Sequence, residues 1–275
     1  MKHKRVIVMA AAFAVAVLGG SLVGHRMGMN FSKEWSSKDY SITTQNQYQS
    51  IIEQNILKLY AADAIPAYKE MPGYLINGQI INNATDWKLV LVNKWNAMDA
   101  GYEPDLVEVS SGHRVDKRIA DPLKEMIKDA KKAGYAIYIL SSYRDMDKQI
   151  SLYEDEVEKW IWQGYDKSAA EEKAGTVVAF PGTSEHQLGL AVDLVSSEHV
   201  RLDRQAENTK GYKWLVKNCH KYGFILRYPN EATDVTGIIY EPWHFRYVGK
   251  KAATYIMEHG ITLEEYLSEI SVSNT

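Results

Sequence analysis

Cysteine is almost missing from this chain. One of its 275 residues, Cys219, is a cysteine, so an intramolecular disulfide is excluded. That cysteine ends the run Trp214, Leu215, Val216, Lys217, Asn218, an amphipathic helical pattern, and reads as a small buried hydrophobe. An excess of positive charge is missing too. Lys and Arg number 32 against 35 Asp and Glu, a net charge of -3, and the isoelectric point is near 6.3. Nucleic-acid binding thereby loses its electrostatic basis. Serine-hydrolase signatures are also absent. There is no G-x-S-x-G, and no S-x-x-K followed by S-D-N and K-T-G, so an acyl-enzyme route through serine has no support. No internal repeat is found.

What remains is the composition of an ordinary globular domain, 45% hydrophobic and 24% charged. The length suggests one domain of about 150–200 residues plus extensions. The 18 Tyr and 7 Trp suit an aromatic-lined groove and equally a packed core.

The extensions lie at the start. Lys2, Lys4 and Arg5 precede an uncharged stretch over 6–24. As a helix it would span roughly 28 Å, close to the hydrocarbon thickness of a bilayer. The basic flank orients it with the N-terminus in the cytoplasm and the bulk of the chain outside. We read 1–29 as a cytoplasmic tip and single-pass signal anchor, a cleaved signal peptide being the alternative. With the only cysteine at position 219, a lipoprotein anchor is excluded. Residues 30–85 are rich in Ser, Gln, Asn, Lys and Tyr and read as a polar stalk, with a short amphipathic helix over 50–62.

A folded domain is expected over 86–270. Leu89 to Val92 reads as a short strand. A helix over 121–133 has Asp121 as its N-cap, Pro122 at its first position and Gly134 at its end. A strand over 135–140, helices over 147–163 and 168–174, and a strand over 190–194 follow. A helix over 208–222, a strand over 238–247 and a helix over 252–259 complete the set. Helices and short strands mix without a repeated βαβ rhythm. That predicts an α+β domain, a small antiparallel sheet flanked by helices.

Two stretches carry chemistry. The first runs from Ser184 through His186 and Gly189 to Asp193; the second is Glu241-Pro242-Trp243-His244. Two histidines and a carboxylate can hold one Zn²⁺ and leave a position open for water, and a further Glu can take that water's proton. On a strand from Leu190 to Leu194, Asp193 faces away from Leu190, Val192 and Leu194. An ionised carboxylate there is costly unless paired or metal-bound. In the second stretch Trp243, Phe245 and Tyr247 fall on one face, His244 and Arg246 on the other, as in a solvent-accessible cleft. Residues three apart on a regular strand point to opposite faces, so Glu241 joins His244 only if Pro242 kinks the chain. Taken singly, each stretch also fits a surface histidine and an unrelated acid. A third stretch, Ser141-Ser142-Tyr143-Arg144 at a strand end, offers an arginine for a carboxylate or for capping the next helix.

The order S-x-Y-R, P-G-x-S-x-H-x-x-G-x-A-x-D and E-P-W-H resembles the zinc D-alanyl-D-alanine carboxypeptidases of the VanY type, a family that includes vancomycin-resistance enzymes. The pieces here are Ser141 to Arg144, Pro181 to Asp193 and Glu241 to His244. Flanks around Tyr222 to Pro229, Phe245 to Gly249 and Leu91 to Lys94 agree, so the resemblance covers roughly 86–268. It implies a zinc site in a cleft on the sheet, with His186, Asp193 and His244 as ligands. It makes Glu241 the catalytic carboxylate and Arg144 a group that stabilises the carbonyl oxygen or engages substrate. Ser184 and Gln149 would line the site. The implied function is removal of the terminal D-Ala from peptidoglycan pentapeptide stems outside the membrane; a monomer is the default expectation, which the resemblance does not address. An L,D-carboxypeptidase acting on tetrapeptides and a catalytically silent wall-binding module are the alternatives.

Overall fold

The computed structural model of the protein describes residues 86–98 and 102–272. The expected membrane segment, the stalk and its short helix lie outside them. Among the described residues no helix is long and apolar enough to cross a membrane.

The domain is α+β, as expected. A hairpin of β1 (Leu106–Ser110) and β2 (His113–Asp116) leads into helix α1 (Lys117–Lys132). Strand β3 (Ile137–Ser141) follows, then the helix pair α2 (Met146–Trp162) and α3 (Lys167–Val177). Strand β4 (Ala191–Ser196), helix α4 (Lys210–Asn218), strand β5 (Phe224–Leu226), the single turn α5 (Thr233–Thr236) and strand β6 (His244–Tyr247) come next. Helices α6 (Lys250–His259) and α7 (Leu263–Val272) close the domain.

The main sheet has the order β3-β4-β6-β5, every neighbouring pair antiparallel. One face carries Val192, Leu194, Phe224, Phe245 and Ile137 into a core closed by Ile119, Leu123 and Met126 of α1 and by Leu215 of α4. A second apolar cluster joins Ile225 of β5 to Ala253 and Ile256 of α6 and Leu263 of α7. The strand period of two therefore decides the chemistry. With Val192 and Leu194 committed to the core, Asp193 has to face the other way.

Several boundaries differ from the sequence expectation. Helix α1 begins at Lys117, capped by the Asp116 carboxylate, which accepts from Arg118 N at 2.9 Å. Asp116 is buried at the end of β2 and binds the Arg118 guanidinium as well, so the hairpin sets the helix start. Asp121 and Pro122 lie one turn inside it. Leu91 and Val92 are buried but form no ladder with the sheet; the carbonyls of Lys88 and Val90 accept instead from Arg246 Nη2. The strand expected over 238–247 is shortened to β6, because Glu241 to His244 closes a turn in which His244 N donates to Glu241 O at 3.2 Å. The hairpin and α7 were not anticipated. The hairpin's first strand is largely exposed, and its apolar/polar alternation is confined to Val107–Ser110. For α7 a signal existed: Thr262 and Glu265 form a capping box, each side chain binding the other residue's amide. Cys219 is fully buried, and burial pushes its thiol up to about 12, in keeping with a packing role.

Candidate metal centre

Sheet register assembles the site. Asp193 of β4 lies directly opposite Ser141 of β3 on one side and His244 of β6 on the other. Paired residues of antiparallel strands project to the same face, so Asp193 and His244 meet on the side away from the core. His186 arrives from the 3₁₀ turn Glu185–Leu188 immediately before β4. That turn ends at Gly189, whose φ of 71° is left-handed; a Cβ there would lie 2.9 Å from Asp116 N. Glycine thus permits the reversal and the close approach together. Every residue from 182 to 196 is buried, which rules out a surface-loop histidine and an exposed edge-strand aspartate.

The donors converge. His186 Nε2 is 3.4 Å from Asp193 Oδ2, and His244 Nδ1 is 3.2 Å from Asp193 Oδ1. One atom from each of the three residues can be chosen so that all lie within 4.8 Å of one another. Two ligands on a tetrahedral zinc with bonds of ~2.1 Å stand about 3.4 Å apart, close to the two histidine–aspartate distances. Hydrogen bonding does not account for the arrangement: His186 Nε2 and Asp193 Oδ1 are buried without a hydrogen-bond partner. Buried polar atoms left unpaired need an explanation, and a cation between them supplies one. The outer ring nitrogens are engaged. His186 Nδ1 meets the Ser142 carbonyl at 2.8 Å, and His244 Nε2 meets Glu185 Oε2 at 3.4 Å. The imidazoles therefore aim different atoms inward, Nε2 for His186 and Nδ1 for His244.

Electrostatics follow from burial and neighbours. Burial and the nearby Arg144 charge lower His186 to about 4. For His244 burial acts downward, but the carboxylates of Asp193 and Glu185 override it and raise the ring to about 9. For Asp193 burial acts upward, and the two histidines override it, holding the carboxyl well below the usual range. Glu241 behaves oppositely. Burial, with the Asp193 charge adding to it against the pull of His244 and Arg144, pushes it up to about 8. Its Oε2 sits 3.5 Å from His244 Nδ1, so the Pro242 turn delivers the acid to the metal-facing side of that ring.

These groups line one wall of a cleft of about 1060 Å³, shared with Ser184, Arg144, Tyr228, Trp243 and Tyr240. Arg144 points its Nη2 at Asp193 Oδ2, 3.5 Å away. Its Nε donates to Ser141 Oγ at 3.1 Å and its Nη1 to Gln149 Oε1 at 2.9 Å. Asp145, not Arg144, caps α2. Gln149, expected to line the site, is instead fully buried behind Arg144. Its amide spans Arg144 and the Ala179 carbonyl, which makes it a positioning residue. Arg246 is corrected likewise: it is fully buried, not open to the cleft. Sequence reasoning missed Tyr228, whose ring lies 4.7 Å from that of His244, and Glu185, the carboxylate behind His244.

Known proteins resemble this chain in sequence and fold. The VanY family profile, described as D-alanyl-D-alanine carboxypeptidase, matches residues 112–250. A D-alanyl-D-alanine carboxypeptidase of Enterococcus faecalis (strain ATCC 700802 / V583) is 41% identical over 183 residues, 66% of each chain. The chain thus spans about two thirds of that relative's length. Among solved structures, the vancomycin-resistance D,D-pentapeptidase VanY of a VanB-type cassette, a glutamate-to-alanine variant in complex with Zn(II), superposes with a TM-score of 0.61 at 41% identity; 66% of this chain and 99% of that one are covered. The LdcB LD-carboxypeptidase superposes with a TM-score of 0.58 at 42% identity, over 66% and 86% of the two chains. With half of its length matched by that profile and its His-Asp-His group set as described, the chain belongs to the VanY family of D-alanyl-D-alanine carboxypeptidases.

Proposed function

We propose that the domain is a zinc D,D-carboxypeptidase that removes the C-terminal D-Ala from peptidoglycan pentapeptide stems on the outer side of the cytoplasmic membrane. The observation that carries this is the convergence of His186, Asp193 and His244 on one point, with the Glu241 carboxyl beside it. His186, Asp193 and His244 would hold a zinc ion, which when bound would polarise the scissile carbonyl and acidify a water molecule. Glu241 takes the proton of the attacking water and returns it to the amine of the departing D-Ala. Arg144, held by Ser141 and Gln149, presents its guanidinium at the cleft wall and pairs with substrate oxygen atoms. The uncharged stretch over 6–24, with its basic flank, supports a tether in the membrane, where stem peptides are within reach.

Similarity to the LdcB LD-carboxypeptidase at 42% identity favours a second reading, cleavage of tetrapeptide stems by the same chemistry. Incubating the full-length protein with UDP-linked muramyl pentapeptide and, separately, tetrapeptide decides between them by product mass. We expect loss of one alanine from the pentapeptide and none from the tetrapeptide. The reverse result reassigns the bond to L,D, and cleavage of neither overturns both. In the same assay Arg144→Ala is expected to lower kcat/KM by about 30- to 1,000-fold, the loss of a charge-assisted contact worth ~2–4 kcal/mol in a dry site.

A further inference from the structure

Behind the metal ligands lies a cluster of charge that the reaction does not use. Arg227, Arg246, Glu185 and Glu264 have side chains with no solvent exposure. Arg227 Nε donates to Glu185 Oε1 at 2.7 Å, and its Nη1 and Nη2 go to the two oxygens of Glu264 at 2.8 and 2.6 Å. Arg246 Nη1 donates to the same Glu185 Oε1 at 2.8 Å. Its other nitrogens bind the carbonyls of Tyr247, Lys88 and Val90. Asn93 Nδ2 adds a bond to Glu264. Two cations face two anions, so the cluster balances, as buried ions must.

Balance alone would be served by any pairing of the four. The feature that singles out Glu185 is the division of its two oxygens. Oε1 takes both guanidinium groups, while Oε2 is left for His244 Nε2. An imidazole that gives its Nδ1 lone pair to a metal must carry its proton on Nε2, and a buried N–H needs an acceptor. Glu185 also adjoins His186 in the same 3₁₀ turn. One turn thus supplies one ligand and orients the other.

We propose that Glu185 is a positioning residue of the metal centre: its Oε2 receives the Nε2–H of His244 and turns Nδ1 toward Asp193, and Arg227 and Arg246 lock the carboxylate in that pose. The proposal rests on the metal-centre reading above. Outer partners of metal-bound histidines typically contribute 10- to 100-fold in metal affinity. Glu264 is the internal control, because it belongs to the same ion cluster but makes no contact with His244.

Zinc affinity of the full-length protein is measured by competition with a chromophoric chelator in wild type, Glu185→Gln and Glu264→Gln, with melting temperatures of the metal-free proteins alongside. Both variants should melt lower, each having lost one buried anion. The zinc Kd should rise about 10- to 100-fold in Glu185→Gln and stay within about threefold of wild type in Glu264→Gln. An unchanged Kd in Glu185→Gln, or equal weakening in both, overturns the proposal while leaving the metal centre intact. A wild type that binds no zinc overturns the metal centre and the proposal together. Should Glu185→Gln not fold, the side-chain ¹⁵N spectrum of zinc-loaded wild type tests the same point. His244 is expected with its proton on Nε2 and His186 with its proton on Nδ1; a His244 proton on Nδ1 refutes the assignment.

Discussion

Glu241→Gln is expected to slow release of D-Ala from pentapeptide by about 10²- to 10⁴-fold, the usual contribution of a positioned general acid–base, while the protein keeps its zinc. Glutamine preserves the shape at the Pro242 turn and removes the group that can take and return a proton. Glu241 is not one of the three converging ligands, so metal content should remain near that of wild type. The loss should fall on kcat more than on KM, because proton transfer is needed in the transition state and not for binding. Product mass and metal analysis on the same preparation check both halves. Loss of zinc together with activity would place Glu241 among the ligands and leave the base unidentified.

Asp193→Ala should reverse that pattern, losing the metal first and the activity as a consequence. Asp193 is the only carboxylate among the three converging ligands and stands between both imidazoles, with Arg144 3.5 Å away. Without it, two neutral rings and a guanidinium would face the cation. Zinc sites are worth ~10–16 kcal/mol spread over three or four ligands, so one ligand accounts for about 3 kcal/mol or more, roughly a hundredfold in affinity. At limiting zinc, turnover should fall by about 10³-fold or more, since the metal supplies several kcal/mol of charge stabilisation. A chelator should produce the same state in wild type, and added Zn²⁺ should restore wild type but not Glu241→Gln. Penicillin should leave the activity untouched, because no serine nucleophile takes part. Penicillin sensitivity with trapping of an acyl-serine would refute the metal route altogether.

The two variants separate what was legible in the chain from what was not. The alternation Leu190, Val192, Leu194 against Asp193 is a statement about one strand with one buried face, and period two makes it readable from sequence alone. The same holds for the Pro242 requirement: sequence shows that Glu241 and His244 cannot share a face of a straight strand, and the turn is the answer. Helix limits read less well where a distant element intrudes. Asp121 and Pro122 look like a helix start, yet the buried Asp116 at the end of the hairpin begins α1 a turn earlier. Leu89 to Val92 has the composition of a strand, but Arg246, far along the chain, takes its carbonyls.

The sequence by itself pointed to the α+β class and, by resemblance, to the family, and through that resemblance to the expected ligands His186, Asp193 and His244 and the carboxylate of Glu241. Within each motif the spacing is short and the local backbone makes it readable; that His244 joins His186 and Asp193 is not local and depends on strand pairing. Tertiary structure alone decided how those residues are held. The register that sets Ser141, Asp193 and His244 side by side joins three strands, and the contacts of Glu185 with Arg227, Arg246 and His244 span 42 to 61 residues. It moved Gln149 from the cleft wall to a place behind Arg144 and sealed Arg246 away from solvent. Nothing in a single sequence encodes which buried charge will find which partner across such distances. The cost of leaving a buried charge unpaired enforces the match once the chain has closed.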